Sequence, residues 1–556
     1  MLAMERRSFA AALASAPSGD KTLLKALLAS ALATLAFGVV VGSIVALTRG
    51  GALAPAVENG YRLLTSHGVA AFFFWLYFAQ AALLLGLAMT HGRDRPALAL
   101  RPLAWLGGAA MLAGFVASQV GTWLGTPLLY DGEPDLVGDD RANAFLFYAG
   151  YLGLAFGLAL VALSAIATAI AGKAERRGAA WSAVTFGTVA WAGLILVSAF
   201  AVINAFLPAA LWATGAGPRP ADHSTAWHIL FHNLHYLPLM GAVLIWYALV
   251  RDFIGAGSVF GERFSKVVFA LYLVFVPPTS LYHMFLEPGL SPLVRALGSV
   301  LSLFVGVPTI AAFLVIVISL EARARAAGRR GAFGWVRALP WGQPAADALA
   351  VAVLALAFGG TFSFVLIQEK LAGLLSDTFF VPAYFHFLTV GTVSLTLLAG
   401  IAHAMPGLCG RAPPLRRLLR TLPYVIGAAL LVFALAGVVG GLTGLPRRAL
   451  DVSYGGQAPA LWRTVSIVIG VAGALMAAAV LAYALVLIGG IARFGCAVGA
   501  AAAHEITVPP ERAVVRFSAW SAPASVAVLI LAIYAATALA FEIIRGLPVL
   551  ASGSGH

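Results

Sequence analysis

The chain has 556 residues, of which 61% are apolar and only 10% are charged, whereas about 25% of the residues are charged in an ordinary soluble domain. This composition excludes a soluble enzyme and a disordered protein, and its long apolar runs exclude a porin-type barrel, whose strands alternate over about 10 residues. The formal net charge is +13, but the basic residues lie singly between apolar segments and form no patch that would bind nucleic acid.

Hydropathy predicts thirteen membrane-spanning helices, each long enough to cross a hydrocarbon core of about 30 Å. In chain order they are 26–48, 66–90, 103–123, 144–172, 181–206, 226–250, 267–286, 293–319, 346–367, 378–402, 421–443, 464–492 and 522–544. The predicted fold class is therefore an all-α integral membrane bundle. We expect a cytoplasmic N-terminal segment over 1–25, a single transmembrane domain over 26–545, and a short outside tail over 546–556.

The distribution of positive charge predicts the orientation of the bundle. If the N-terminus is cytoplasmic, 25 of the 35 Lys and Arg residues fall in inside segments, as the positive-inside rule requires. One outside loop is acidic, and we interpret it as a solvated loop rather than as a docking site for a basic protein. Its acidic residues are Asp131, Glu133, Asp135, Asp139 and Asp140.

Histidines inside the predicted spans are the most informative polar residues, because an ionisable side chain is costly to bury in lipid. One such histidine could be a hydrogen-bonded core residue, but six at one depth in the outer third of the membrane favour a layer of haem or metal ligands. The six are His67, His228, His232, His235, His283 and His386. Three more, His91, His403 and His504, are assigned to inner helix ends and a cytoplasmic segment.

Several motifs around these histidines occur together and in a recognisable order. They are LLTSHGVAAFFFWLYFAQ (63–80), HNLHY (232–236), YHMFLEPG (282–289), SVLSLFVGVPT (299–309), GAFGWVRALPW (331–341), FHF (385–387) and LPRRA (445–449). Over essentially its whole length the chain resembles subunit I of the B-family haem-copper oxygen reductases, which are cytochrome c oxidases. The resemblance implies thirteen spans, the bacterial cytoplasmic membrane, and reduction of O2 coupled to proton uptake.

The resemblance implies an intact electron-carrying haem. In that family a low-spin haem b lies between one histidine on the second span and one on the tenth, which here are His67 and His386. Two imidazole ligands saturate the iron and suit it to electron transfer. Arg447 and Arg448 match the pair that faces the haem propionates, where guanidinium groups form strong pairs with carboxylates.

The second centre departs from the family pattern. The position of the axial histidine of a second, high-spin haem is Tyr384, and the three copper positions are His232, Tyr282 and His283. His232 and Tyr236 retain the one-turn spacing of the family's cross-linked pair, whose tyrosine gives an electron and a proton in the catalytic step. The resemblance therefore implies a divergent haem and copper centre.

Three further outcomes remain open at this centre. A phenolate from Tyr282 could complete the copper ligands, His228 or His235 could supply the third imidazole, or no metal could bind. Tyr247 and Thr309 match family positions in a proton channel from the cytoplasmic face, but Val243 and Ala312 lack the expected hydroxyls.

The expected partners are a subunit II-like copper or haem protein, a periplasmic cytochrome c, O2 and membrane lipid, with no nucleic acid. One alternative is a nitric oxide reductase-like enzyme that takes NO in place of O2. Another is a non-catalytic haem b subunit without a functional binuclear centre. Secondary transport would require an internal repeat or discontinuous helices, and the sequence shows neither.

Overall fold

The computed structural model describes residues 8–255, 258–279, 293, 304–331, 334–366 and 369–492. Within these ranges the chain is helical and forms no strand, apart from one isolated bridge between Thr378 and Pro446. Eleven helices of the described part are long and apolar enough to cross a membrane. The predicted all-helical membrane fold is confirmed.

The first half of the bundle contains α1 (Phe9–Ala14), α2 (Ser18–Arg49), α3 (Val57–Gly68), α4 (Trp75–Gly92), α5 (Arg101–Leu124), α6 (Arg141–Glu175), α7 (Ala183–Ala213) and α8 (His223–Ile254). The second half contains α9 (Gly261–Thr279), α10 (Val307–Ala326), α11 (Gly334–Ala338), α12 (Pro344–Leu366), α13 (Glu369–Leu375), α14 (Phe380–His386), α15 (Leu395–Cys409), α16 (Arg416–Leu442) and α17 (Ala460–Ile491). Two π-helical segments, Val69–Phe74 and Phe387–Ser394, join α3 to α4 and α14 to α15.

A helix occurs in every predicted span except 522–544, which lies outside the described residues together with the tail 546–556. The described part of the seventh predicted span, α9, is not among the eleven apolar helices. Thirteen spans, the domain limits and the cytoplasmic side of the N-terminus therefore stay predictions.

Helix α3 begins at Val57, well before the predicted start of its span at residue 66. Its first turns are polar, so a hydropathy window does not detect them. Glu58 and Arg62 form an ion pair at 2.5 Å, and Arg62 also donates to the Gly125 carbonyl oxygen at the end of α5. The helix thus extends beyond the apolar stretch because its outer turns are tied to a neighbouring helix.

Burial separates the helices that carry the candidate site from the others. The most apolar stretch is 89% buried in the continuous helix of α3 and α4, 89% in α8 and 78% in that of α14 and α15, against 33–56% in the other eight candidate spans. These three central helices carry His67, His232 and His386. The remaining helices form a shell around them.

Helix pairs in this shell approach closely where both present glycine. A Cβ atom on Gly107 of α5 would lie 2.5 Å from the carbonyl oxygen of Gly157 on α6, and one on Gly114 would lie 2.6 Å from that of Gly150. Larger side chains would force the helices apart, so these glycines set the spacing.

The N-terminal segment includes a buried helix at the end of the bundle predicted to be cytoplasmic. The Phe9 N–H donates to the Asp252 carboxylate at 2.7 Å, and Nε2 of His403 lies 2.9 Å from the same oxygen. Asp252 and His403 are both buried. The assignment of His403 to a helix terminus is therefore incomplete, because its ring also pairs with a buried carboxylate that holds α1.

Candidate functional site

His67 lies in the last turn of α3, and α2 fixes its ring. Its Nδ1 atom lies 2.8 Å from the carbonyl oxygen of Gly38. A carbonyl oxygen can only accept, so Nδ1 carries the proton and donates it. A Cβ atom on Gly42, one turn further along α2, would lie 2.5 Å from the ring, so only glycine leaves room for the imidazole there.

His386 is held in the same way at the end of α14. Its Nδ1 atom lies 2.7 Å from the carbonyl oxygen of Pro382, one turn earlier, and therefore also donates. The ring packs against Phe433 of α16 with the ring centroids 4.8 Å apart. Phe433 thus restricts the ring from the side while the backbone fixes its tautomer.

The two imidazoles form a matched pair. They are close enough to interact electrostatically, and in the described part of the chain no hydrogen bond engages either Nε2 atom. In each neutral ring the proton on Nδ1 leaves the lone pair on Nε2, which is the arrangement of a histidine that ligates a metal. The pair therefore fits the two axial positions of one haem iron.

A π-helical segment follows each of these histidines within two residues. Such segments add a residue to a helical turn and occur frequently at functional sites. The indole N–H of Trp75, directly after the first segment, donates to the hydroxyl of Ser394, the last residue of the second, at 2.9 Å. The two histidine-bearing helices are thereby tied together just beyond their irregular turns.

The loop after α16 brings Arg447 and Arg448 to the outer end of the pair. Arg447 forms an ion pair with Asp377 at 3.0 Å, and Arg448 forms one with Asp131 at 3.0 Å. Burial works against the charge of Arg448, but Tyr130 and Asp131 outweigh it and raise the pKa of Arg448 above its usual value. Buried Nε donors of both arginines lack a partner within the described residues. They fit a ligand that brings carboxylate groups, as haem propionates do.

Arg49 positions this loop, and the sequence analysis missed it. The guanidinium of Arg49, at the end of α2, donates to the carbonyl oxygens of Arg447 and Ala449 at 3.1 Å each and also to that of Pro446. It stacks over the Phe379 ring at 4.3 Å. These contacts join residues some 400 positions apart, and no local sequence signal announces them.

The acidic outside loop is not merely solvated, so that interpretation was wrong for one of its residues. Asp131 is 9% exposed and binds Arg448, and its carbonyl oxygen accepts a hydrogen bond from Nε2 of the buried His223 at 2.7 Å. His223 was not among the histidines singled out from the sequence. Its position at the first residue of α8, next to a charged stretch, resembles an ordinary helix terminus.

The second centre is less complete. Tyr384 is 8% exposed, and its ring lies 6.4 Å from those of Phe380 and Phe385, so a buried phenol occupies the position expected for an imidazole. His232 is also buried, with its ring 6.4 Å from that of Tyr236 and inclined by 30°. The one-turn spacing therefore does place these two rings side by side.

His235, a candidate third imidazole, lies in an aromatic cluster. Its ring centroid is 4.8 Å from Phe385, 5.3 Å from Tyr236 and 6.5 Å from Phe72. The predicted ligands Tyr282 and His283 lie outside the described residues. Within the described ranges no group of three or more His, Cys, Asp or Glu side chains could hold a metal ion.

Comparison with known proteins agrees with this arrangement. A family model described as Cytochrome C and Quinol oxidase polypeptide I matches residues 22–476. The chain belongs to this family. Cytochrome c oxidase subunit 1 of Thermus thermophilus is 29% identical over 403 residues, which cover 71% of this chain and 70% of that protein. A cryo-EM structure of a heme-copper terminal oxidase dimer matches with a TM-score of 0.80 at 20% identity, covering 93% of this chain and 91% of the other, and shows the same fold.

The predicted resemblance to a haem-copper oxidase subunit I is thus confirmed, as is a multi-pass membrane protein. Proteins of this family normally bind haem and copper, and subunit I normally works with a subunit II and cytochrome c. Assignment to the B family and the residue-level ligand set stay predictions.

Proposed function

We propose that this chain is the central subunit of a terminal oxidase in a bacterial cytoplasmic membrane. Electrons arrive from a periplasmic cytochrome c through a subunit II-like copper or haem protein, pass through a haem b between His67 and His386, and reduce O2 at a divergent haem and metal centre with proton uptake. The observation that carries the proposal is the matched pair of imidazoles, each with Nδ1 bonded to a backbone carbonyl oxygen.

The residues of the first site have distinct tasks. A bis-histidine haem supplies one-electron transfer without an open coordination position. The Gly38 and Pro382 carbonyl oxygens hold the imidazoles in one tautomer and increase their basicity toward a metal. Arg447 and Arg448 offer guanidinium donors to propionates, while Arg49 holds their backbone in place.

The residues of the second centre fit the family's groups less well. The phenol of Tyr384 is not the neutral nitrogen ligand of the family, so we derive no step through a second haem. His232 is the one predicted copper ligand among the described residues. Tyr236 lies beside it, and its hydroxyl holds a proton where the proposed reaction needs one.

Tyr384 favours a second candidate function. A chain that retains the bis-histidine pair but lacks the second axial imidazole could act as a haem b electron-transfer subunit without turnover of O2. Such a subunit would contain only six-coordinate haem.

Oxygen uptake by the purified protein with reduced cytochrome c tests the proposal. We expect uptake that is lost in Tyr236→Phe and retained in Tyr483→Phe, which removes a buried hydroxyl from α17. Consumption of NO but not O2 would instead indicate a nitric oxide reductase-like enzyme. Reduction of haem b without consumption of either gas would contradict the proposal and support the electron-transfer subunit.

A further inference from the structure

Helix α9 supplies hydroxyl groups where α8 and α10 lack them. Val243 on α8 and Ala312 on α10 are fully buried and have no polar side-chain atom. Tyr247 and Thr309 on the same two helices do carry hydroxyls, but these two helices alone offer no continuous series of polar groups. In the structure both hydroxyls have a partner on α9.

The hydrogen bonds to α9 are specific and buried. The hydroxyls of Tyr272 and Thr309 lie 2.8 Å apart, and the Tyr247 hydroxyl donates to Ser265 Oγ at 3.3 Å. Tyr272 and Ser265 are both completely buried. Polar groups this deep in a membrane protein are costly unless they are paired or serve a purpose.

These pairs form a series that begins at the surface. Glu262, in the first turn of α9, is exposed and close enough to Tyr247 to interact with it electrostatically. Tyr247 and Tyr272 interact in the same way. From Glu262 to Tyr272 the series rises about 15 Å along α9, at 1.5 Å per residue.

We propose that this series carries protons from the inner face toward Tyr236, with Ser265 and Tyr272 replacing the hydroxyls missing at Val243 and Ala312. The inference rests on the proposed function, which requires protons at the second centre. Each hydroxyl accepts a proton from its inner neighbour and releases its own proton outward, so the series is unchanged after each transfer. Tyr236 lies about 16 Å from Tyr247 along α8, and water completes the last part of the path.

The competing explanation is structural, because the Tyr272 hydroxyl could simply tie α9 to α10. A structural bond would affect stability and haem content. A proton path would affect the rate at which protons enter the protein while leaving the haem spectrum unchanged.

The experiment measures proton uptake by the full-length purified protein with a pH-indicator dye during anaerobic reduction. Tyr272→Phe removes one hydroxyl and keeps the ring. We expect an unchanged haem content and α-band, and uptake slowed by about 100-fold, the lower end of what a positioned proton-transfer group contributes. Tyr483→Phe is the matched control and should take up protons at the unmodified rate.

Two further variants guard against a misfolded Tyr272→Phe. Thr309→Val removes the other hydroxyl of the same hydrogen bond and should slow uptake similarly. Ala312→Ser adds an oxygen one turn from Thr309 and should restore at least part of the rate in the Tyr272→Phe background. A purely structural bond predicts no such rescue.

The outcomes separate this inference from the proposed function. If the unmodified protein consumes O2 and Tyr272→Phe takes up protons as fast as Tyr483→Phe, only the α9 path is wrong. If the unmodified protein consumes neither O2 nor NO, the proposed function is wrong. Absence of any proton uptake on reduction of the unmodified protein would overturn the α9 path as well.

Discussion

The two candidate centres differ in what fixes their residues. At the first, backbone carbonyl oxygens of Gly38 and Pro382 orient His67 and His386, and the helices that bear them are joined by Trp75 and Ser394. At the second, His232 and Tyr236 are oriented by ring packing, and a tyrosine stands at the expected axial position.

This difference indicates which part of the chemistry the fold preserves by itself. Electron transfer requires only two imidazoles at a fixed separation, which helix geometry and two carbonyl oxygens supply. Reduction of a diatomic molecule requires a particular set of ligands, and a change at Tyr384 alters that set without disturbing the surrounding helices. A bundle of this kind can therefore keep its haem b while its second centre diverges.

The largest effect is expected from removing a first-site imidazole. His386→Ala or His67→Ala should abolish the sharp bis-imidazole α-band of the reduced protein, because one axial ligand of the iron is lost. Optical spectroscopy of the purified variants provides the measurement. His91→Ala, at the other end of the helix that follows His67, is the control and should keep the band. Persistence of the band in His386→Ala would exclude the assignment.

A change at the second centre should have the opposite sign. Tyr384→His restores the family's axial ligand, and even an outer-shell partner is typically worth about 10- to 100-fold in metal affinity, so we expect O2 uptake to increase by at least about tenfold. Oxygen-electrode assays with reduced cytochrome c measure it. Tyr384→Phe should give no increase. An unchanged rate in Tyr384→His would show that Tyr384 is not the limiting difference.

A smaller effect should follow from crowding His67. Gly42→Ala places a methyl group 2.5 Å from the ring atoms, so the imidazole must shift and weaken its bond to Gly38. Overpacking of this kind costs about 1–3 kcal/mol, and we expect partial loss of haem b by haemochrome analysis. Gly360→Ala on α12, where a Cβ would meet no atom within 4 Å, should retain full haem content. Equal haem content in both variants would contradict the packing of His67 against α2.

The smallest effect should come from the positioning residue Arg49. Arg49→Met releases the loop of Arg447 and Arg448, so the haem propionates lose positive charge that favours the reduced iron. We expect a midpoint potential of haem b lower by about 40 mV, equivalent to about 1 kcal/mol for one electron, in a redox titration. Arg62→Met, at the outer end of α3, should leave the potential unchanged. A shift of equal size in both would indicate a general charge effect.

Much of the fold could be predicted from the sequence because hydropathy is a local property. Every predicted span within the described ranges contains a helix, and spacing alone placed His232 beside Tyr236. The polar start of α3 was missed since its stability comes from a contact with Gly125, which a hydropathy window does not see.

The residues that support the first site could not be predicted for a related reason. Arg49, Asp377 and His223 act through partners distant in sequence, such as Pro446, Arg447 and Asp131. Their residue types are ordinary for helix ends and loops, so no spacing distinguishes them. The π-helical turns after His67 and His386 likewise have no simple sequence signature.

Carbon monoxide titration of the reduced protein, with total haem determined on the same sample, tests the central claim most directly. A haem held by both His67 and His386 has no free position for carbon monoxide, whereas the haem of a catalytic centre does. We predict one carbon monoxide bound for every two haems. Binding to all of the haem would contradict the bis-histidine site, and a single haem that binds none would contradict the catalytic centre.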